Sequence, residues 1–266
     1  MMEIKLEGVR KTLLIPLWSR AKLLDDPKAR EIIADIGYDF DKTEKNIPHY
    51  VKLMLSVRAK EIDDIIKNFI TRRPGATIVN LGAGLDTAFY RVDNGSIKWI
   101  DIDLPDVIEL RKRLLPETDR SGYIAGSIFD REWIKGIPEK SNGVLFISCG
   151  VLPYFEEILV KGLLKSILEN FSGSEMAFDT QSKLGNFIAN TGAMLRGMRS
   201  AALLWGIKDA SKIEKWNSGI KLLKQYPLFS RTERDQEVRN RGVSRIMDFS
   251  DKFKLANIVR LKMGAE

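Results

Sequence analysis

The chain has 266 residues, 44% of them hydrophobic and 30% charged, which fits one large domain or one domain with an appendage. Its net charge of +7 is uneven, because residues 1–180 carry 26 basic and 28 acidic side chains whereas residues 181–266 carry 17 and 8. The single cysteine, Cys149, excludes a disulfide framework and an all-cysteine zinc site, and the single histidine, His49, argues against a Ser-His-Asp hydrolase.

The apolar stretches are too short to cross a membrane. The longest, Leu13–Trp18 and Ala201–Trp205, fall well below the length that a bilayer requires. The N-terminus alternates charges and has no signal-peptide core. These features predict a cytoplasmic protein that does not associate with membranes.

Residues 1–72 are predicted to be helical. Pro27 follows two aspartates and precedes an apolar-periodic segment, which is typical of a helix start. Apolar residues then recur at helical spacing over Val51–Ile70, and that helix is predicted to end before Pro74.

Beyond this region, β-branched runs alternate with helical segments such as residues 106–115 and 156–170. This alternation predicts an α/β fold with a parallel sheet and right-handed crossovers. The strands are predicted at Thr77–Leu81, Ile97–Ile102, Tyr123–Ala125, Gly143–Ser148 and Glu175–Asp179, with a late and plausibly antiparallel strand at Asn257–Met263.

Residues 181–226 interrupt the alternation of strands and helices. They contain glycine, methionine and tryptophan in segments that we interpret as helical. We predict that they form an insertion covering the carboxyl edge of the sheet.

The loop after the first predicted strand is the first indication of a ligand. Gly82 and Gly84 permit a tight turn and let a ligand approach the backbone closely. A dinucleotide fingerprint needs a third glycine where Thr87 stands, because that glycine serves a pyrophosphate. An adenosine ligand without phosphate, S-adenosylmethionine, therefore fits better than NAD.

Two carboxylates end the second predicted strand. Asp101 and Asp103 lie about twenty residues beyond the glycines, where an acidic residue can bind ribose hydroxyls. The alternative for Asp103 is that it only caps the helix that follows at Pro105.

These motifs make a family resemblance visible. The segments NLGAGLDTAFYRVDN (80–94) and WIDIDLPDVIELRKRLLPE (99–117) resemble the leucine carboxyl methyltransferase superfamily. The chain is most similar to the bacterial and archaeal branch of tetracenomycin-type polyketide O-methyltransferases, and the resemblance extends over nearly its whole length.

The resemblance implies a class I S-adenosylmethionine-dependent methyltransferase fold, which is Rossmann-like with a seven-stranded, mostly parallel sheet. We expect one domain in four parts: an N-terminal helical region (1–72), a donor-binding core (73–180), a helical lid that holds the substrate (181–226) and a C-terminal completion of the sheet (227–266). S-adenosyl-L-methionine is the implied methyl donor, and no metal is expected.

The resemblance also implies donor-binding residues. Arg58 matches the arginine that pairs with the methionine carboxylate, and its alternative is an arginine on a helix surface. The other implied positions are Gly82, Ala83 and Gly84 in the donor loop, Asp103 at the ribose, Ser127 and Ile128 at the adenine, and Cys149 and Gly150 lining the pocket.

Four positions depart from the family pattern. Ser127-Ile128 replaces an Asp-Leu pair, Cys149 stands where the protein-methylating branch often has glutamate, and Ala88 replaces an arginine, while Arg91 remains. A nucleophilic role for Cys149 is disfavoured, because no partner for a thiolate is visible nearby.

The catalytic residue stays open at this point. Methyl transfer needs mainly alignment and exclusion of water, and a carboxylate acceptor needs no base, whereas a phenol benefits from one. Tyr154, Asp179 and Asp86 are candidates that the sequence does not distinguish.

The leading hypothesis is an O-methyltransferase acting on a small-molecule carboxylate or phenol. The alternatives are a protein C-terminal carboxyl methyltransferase, an RNA-binding or RNA-modifying protein, and an inactive donor-binding module. We expect a small-molecule acceptor as partner and no nucleic acid, because the cations near the C-terminus are interleaved with acids. The oligomeric state is open.

Overall fold

A mixed sheet of seven strands lies at the centre of the computed structural model, which describes residues 9–36, 47–137, 141–195, 202–232 and 241–264. The strand order is β3-β2-β1-β4-β5-β7-β6. The strands are β1 (Thr77–Leu81), β2 (Lys98–Asp103), β3 (Ser121–Ala125), β4 (Val144–Ser148), β5 (Ser174–Gln181), β6 (Ile220–Pro227) and β7 (Ala256–Met263).

The strands β1 to β5 are parallel to one another, and β7 lies antiparallel between β5 and β6. The predicted seven-stranded, mostly parallel sheet is therefore confirmed, and so is the antiparallel orientation of the last strand. Among the described residues, no helix has the length and apolarity that a membrane span requires.

Helices cover both faces of the sheet. They are α1 (Val9–Leu23), α2 (Pro27–Asp35), α3 (His49–Arg72), α4 (Ala88–Val92), α5 (Pro105–Leu114), α6 (Glu157–Asn170), α7 (Lys183–Leu195) and α8 (Arg241–Phe253). Short 3₁₀ helices occur at Glu132–Gly136, Leu152–Tyr154 and Ala210–Lys215.

The central strands are apolar on both faces because each face packs against its own core. On β1, Ile78 belongs to one hydrophobic cluster, whereas Val79 and Leu81 belong to the other. On β4, Leu145 and Phe146 divide in the same way. This alternation with a period of two is why both strands appear in the sequence as continuous hydrophobic runs.

A third cluster lies beside the carboxyl edge of the sheet. It joins α1 and α2 to the loop after β1 and to α5, with Leu17, Ile32, Leu85 and Leu110 among its buried members. The N-terminal helices thus pack directly against the loop that the sequence marks as a ligand site.

The insertion 181–226 is predicted to be helical, and it is so over Lys183–Leu195, whereas residues 196–201 lie outside the described residues. For residues 202–226 the prediction is wrong. The 3₁₀ helix at Ala210–Lys215 is the helical part of this stretch, and Ile220–Pro227 is the edge strand β6. Asn217 accepts a hydrogen bond from the amide of Gly219, which forms the turn into the strand. A register shift between Leu222 and Lys224 breaks the alternation that would have identified the strand.

Candidate functional site

The predicted site residues come together at the carboxyl edge of the sheet. The strand order reverses between β1 and β4, and open α/β sheets bind ligands at such a point. The segments that meet there are Gly82–Gly84 after β1, Asp103 on β2, Ser127-Ile128 after β3, Cys149-Gly150 after β4, and Asp179 on β5.

The loop after β1 makes a tight turn that needs its glycines. Gly82 and Gly84 have φ angles of +75° and +51°, which lie in the left-handed region. A Cβ atom on Gly82 would stand 2.6 Å from a methyl group of Val151. Larger residues at these positions would distort the turn.

Three amides of this loop are satisfied within the protein. The amides of Gly82 and Ala83 both donate to the carbonyl oxygen of Ile102, at 2.8 and 3.2 Å. The amide of Gly84 donates to Oδ2 of Asp103 at 2.7 Å. These three groups are therefore not offered to a pyrophosphate, in agreement with the predicted phosphate-free ligand.

Asp103 links two loops and keeps acceptor capacity. Its Oδ1 accepts from the amide of Leu104 at 2.7 Å and its Oδ2 from the amide of Gly84. Each carboxylate oxygen can accept a second hydrogen bond, so the side chain can still bind hydroxyl groups. Burial raises the pKa of Asp103. Helix α5 has no side-chain cap, so capping that helix is not the role of Asp103.

Asp101, in contrast, is enclosed in the protein. Its carboxylate pairs with Arg111 and accepts from the indole of Trp99 at 2.8 Å and from the amide group of Asn80 at 2.9 Å. The expectation that it shares ribose binding with Asp103 does not fit these contacts.

Arg111 fixes the shape of the donor loop from α5. Its Nη1 donates to the carbonyl oxygens of Gly84 and Asp86, at 2.9 and 3.0 Å. Its Nη2 pairs with Asp101 on β2. One guanidinium therefore joins α5, β2 and the loop.

Arg91 joins the same loop to the N-terminal helices. It binds the carboxylate of Asp63 on α3 bidentately, at 2.7 and 2.9 Å, and its Nη1 lies 2.8 Å from Asp26. Asp26 caps α2 through the amide of Ala29. Burial would lower the pKa of Arg91, but Asp86 and Asp63 raise it, so the guanidinium is held in its charged form.

Arg20 adds a third guanidinium from α1. It donates to the carbonyl oxygen of Leu85 at 2.7 Å, and its Nε lies 3.5 Å from Asp26 and 3.7 Å from Asp86. Burial alone would raise the pKa of Asp86, but the neighbouring arginines lower it below its ordinary value. Sequence reasoning missed Arg20 and Asp63, and it used Asp26 only as part of a helix-start signal.

A second charged group lies at the ends of β4 and β5. Nη1 of Arg58 lies 3.2 Å from Oδ2 of Asp179, and Oδ1 of Asp179 accepts from the amide of Gly150 at 2.5 Å. The guanidinium lies against Gly150 so closely that a Cβ atom there would be 2.4 Å from Nη2. Burial would lower the pKa of Arg58, but Asp179 raises it above its ordinary value.

The Arg58 guanidinium has an unpaired edge. Its Nε is buried and has no hydrogen-bond partner among the described residues, and Asp179 is the one partner found there for its terminal nitrogens. The Nε–Nη2 edge is the one that binds a carboxylate side-on, as Arg91 does with Asp63. Arg58 is therefore not the helix-surface arginine that the sequence left as an alternative.

Cys149 and Tyr154 border this group. Burial raises the pKa of Cys149 to about 12, so its thiol is protonated at neutral pH. Burial also raises the pKa of Tyr154, whose side chain lies within electrostatic reach of Arg58. Neither group is set up to lose a proton readily.

Ser127 and Ile128 lie beside Asp103, because the amide of Gly126 donates to the carbonyl oxygen of Asp103 at 2.9 Å. The hydroxyl of Ser127 accepts from the amide of Phe129 at 3.2 Å, and Ile128 is buried. The pair offers a hydroxyl and an apolar surface but no charge.

No metal site is found in the described part of the chain, where no three His, Cys, Asp or Glu side chains are grouped to hold an ion. A cavity of about 390 Å³ lies at the opposite edge of the sheet, beside Arg73, Val144 and Ser174. It contains none of the predicted donor-binding residues.

Comparison with known proteins gives consistent results. A family model described as leucine carboxyl methyltransferase matches residues 17–168, more than half of the chain. The tetracenomycin polyketide synthesis O-methyltransferase TcmP of Streptomyces glaucescens is 29% identical over 233 residues, which cover 85% of each chain. The S-adenosyl-L-methionine-dependent methyltransferase dpfgK of Gibberella zeae is 29% identical over 247 residues, 82% of each chain.

The fold is also found among solved structures. A Thermobifida fusca protein assigned as a methyltransferase superposes with a TM-score of 0.64, over 95% of this chain and 94% of the other. At 15% identity, this similarity concerns the fold alone.

The first prediction concerns Arg91. Replacing Arg91 with alanine leaves the buried carboxylate of Asp63 without its bidentate partner, so we expect a loss of about 3–5 kcal/mol in the free energy of unfolding in urea. The control is Arg113→Ala, which removes an exposed pair with Glu109 and should cost at most about 1 kcal/mol. Equal losses for the two variants would contradict the structural role of Arg91.

The second prediction concerns the thiol. Because a pKa of about 12 leaves little thiolate, we expect iodoacetamide to alkylate folded Cys149 at pH 8 on the order of a thousandfold more slowly than the urea-unfolded chain. Mass spectrometry follows the reaction unambiguously, because the chain has one cysteine. Alkylation of the folded chain at the unfolded rate would refute the assignment.

Proposed function

We propose that this chain, which belongs to the leucine carboxyl methyltransferase family, methylates an oxygen atom of a small-molecule acceptor. The predicted family, the class I fold and the methyltransferase activity are confirmed by the comparisons. The comparisons also confirm the prediction that S-adenosylmethionine is the methyl donor. The acceptor and the roles of individual residues belong to the proposal.

The observation that carries the proposal is the position of Arg58, whose guanidinium lies against Gly150 and Asp179 at the carboxyl edge and has one hydrogen-bonded partner among the described residues. Its buried Nε has no partner there, and a ligand carboxylate would satisfy it. The methionine part of the donor has such a carboxylate. The residues of the site therefore fit the donor at the point where its charge must be bound.

The other contacts fit the rest of the donor. Asp103 has acceptor capacity for the ribose hydroxyls, and the satisfied amides of the glycine loop suit a ligand without phosphate. Ser127 and Ile128 offer the adenine a hydroxyl and an apolar surface. We assign Cys149 and Gly150 to the wall of the same pocket.

Bound S-adenosylmethionine supplies a methyl group that is already activated on a sulfonium. The protein has to hold the acceptor in line with that group and exclude water. A carboxylate acceptor is ionised at neutral pH and requires no base from the chain. If the acceptor is a phenol, a base would help, and of the two predicted candidates the raised pKa of Tyr154 disfavours it, which leaves Asp179.

Exposed apolar side chains favour an apolar acceptor. Tyr154 follows β4, and the amide of Leu204 donates to the carbonyl oxygen of Pro153 at 2.7 Å, so both lie near the carboxyl edge. Helix α7, which follows β5, exposes Leu184, Phe187 and Ile188. This surface favours a small apolar acceptor over RNA, because RNA binding requires clustered cations.

The region that binds the acceptor is also part of this proposal. We propose that α7 and the neighbouring residues 203–205, within the predicted insertion 181–226, form the acceptor side of the cleft. The predicted boundaries of the other three parts and the cytoplasmic location stay predictions.

The third prediction tests the function. We expect purified protein to transfer tritium from methyl-labelled S-adenosylmethionine into the small-molecule fraction of a cell extract. Label in the protein fraction would support C-terminal carboxyl methylation instead, and label in RNA would support RNA modification. Absence of label in all three fractions would contradict the proposal.

The same label identifies the acceptor atom. A methyl ester releases labelled methanol on alkaline treatment, whereas a phenolic methyl ether does not. The rate should be nearly constant from about pH 6 to 9 for a carboxylate and rise with pH for a phenol, because phenols ionise near pH 10.

The fourth prediction concerns the donor. Replacing Arg58 with alanine should weaken the binding of S-adenosylhomocysteine by about 1.5–3 kcal/mol in calorimetric titration, because a charge-assisted bond is lost. Arg113→Ala, on an exposed helix face, is the control and should bind as the wild type does. Unchanged affinity in Arg58→Ala would remove Arg58 from the site.

A further inference from the structure

We infer that Asp179 binds the α-ammonium group of the donor, so that Arg58 and Asp179 together form a receptor for its zwitterionic amino acid end. This inference rests on the proposed function and assigns a role to a residue that the sequence could name only as a weak candidate base.

The geometry of the pair is the first argument. Arg58 and Asp179 are 121 positions apart in the sequence, and their charged atoms lie 3.2 Å from each other at the carboxyl edge. The contact is a single hydrogen bond, and the buried Nε of Arg58 has no partner among the described residues. The pair lies at the carboxyl edge, where open α/β sheets bind ligands, so a ligand carboxylate there can use the side-on edge as Asp63 uses that of Arg91.

The second argument is the support given to Asp179. The amide of Gly150 holds its Oδ1 at 2.5 Å, and the flat guanidinium holds its Oδ2. Each oxygen retains a second acceptor position. A carboxylate fixed in this way, with acceptor positions remaining beside Arg58, is suited to accept from a ligand N–H group.

The third argument is charge. An α-amino acid carries its ammonium and carboxylate on the same carbon, so a site that binds it needs a cation and an anion side by side. Cys149, next to Gly150, has a protonated thiol and cannot supply the anion. Asp86 is the carboxylate of the donor loop, and it is already engaged by Arg20 and Arg91. Asp179 is therefore the carboxylate placed beside Arg58 to complete the receptor.

The fifth prediction is a crossed binding experiment. The ligands are S-adenosylhomocysteine, its analogue without the amino group (S-adenosyl-4-thiobutyrate) and its analogue without the carboxylate (S-adenosyl-3-thiopropylamine). The variants are Asp179→Asn and Arg58→Ala, and affinities are measured by calorimetric titration.

We expect opposite patterns in the two variants. Asp179→Asn should lower the affinity for S-adenosylhomocysteine and for the amine analogue by about tenfold or more, and it should leave the affinity for the thiobutyrate analogue unchanged or higher. Arg58→Ala should lower the affinity for the two ligands that carry a carboxylate and leave the affinity for the amine analogue unchanged.

The matched control is Glu175→Gln. Glu175 lies on the same strand β5 with the same side-chain exposure of 8%, but it pairs with Arg72 and Arg260 at the other end of the strand. This variant should bind all three ligands as the wild type does.

Two results would overturn the inference. If Asp179→Asn lowers the affinity for the thiobutyrate analogue as much as the affinity for the amine analogue, Asp179 acts by positioning Arg58. If it binds every ligand normally and loses turnover with an altered pH profile, Asp179 is a base.

The wild type provides a test that does not depend on the folding of a variant. Equal affinity of the wild type for S-adenosylhomocysteine and the thiobutyrate analogue would refute ammonium binding. Failure of the wild type to bind any donor-related ligand would instead refute the proposed function itself.

Discussion

The donor loop depends on a buried network of arginines and carboxylates. Arg20, Arg91 and Arg111 reach it from α1, α4 and α5, and they pair with the buried carboxylates of Asp26, Asp63 and Asp101 and with the half-buried carboxylate of Asp86. Buried charges are stabilising only when their geometry and hydrogen bonds are nearly complete. The docking of the N-terminal helices and the shape of the turn at Gly82 and Gly84 therefore depend on the same ion pairs and hydrogen bonds.

The Arg58–Asp179 pair differs from this network in its number of contacts. In the network, Arg91 uses its side-on edge on Asp63, and Arg111 is bound by a carboxylate and two carbonyl oxygens. The pair instead has one direct bond, and a glycine leaves room for the flat guanidinium. A buried Nε without a hydrogen-bond partner among the described residues is shared by Arg20, Arg58 and Arg111. The Arg58–Asp179 pair is therefore set apart by its single bond and by its position at the ends of β4 and β5.

The sequence predicts the strands well where burial on both faces produces a continuous apolar run, as in β1 and β4. It misses β6, because the register shift between Leu222 and Lys224 disturbs the alternation of an edge strand. The motif residues Gly82, Gly84 and Asp103 could be located from local spacing. Arg20 and Asp63 could not, because a single charged residue on a helix has no local pattern that identifies its distant partner. The pairing of Arg58 with Asp179 likewise required the fold, although each residue had been named separately.

Helix α7 buries polar side chains and exposes apolar ones, and this arrangement bears on the nature of the acceptor. Its Asn186 and Asn190 point inward and hydrogen-bond the backbone of Trp205 and Leu203, whereas Leu184, Phe187 and Ile188 point outward. A helix of this kind does not gain the usual hydrophobic stabilisation from its apolar face, so the inward amide bonds must hold it in place. The apolar face then lies open beside the carboxyl edge, where methyl transfer requires water to be excluded. An apolar acceptor would cover this face and complete the exclusion.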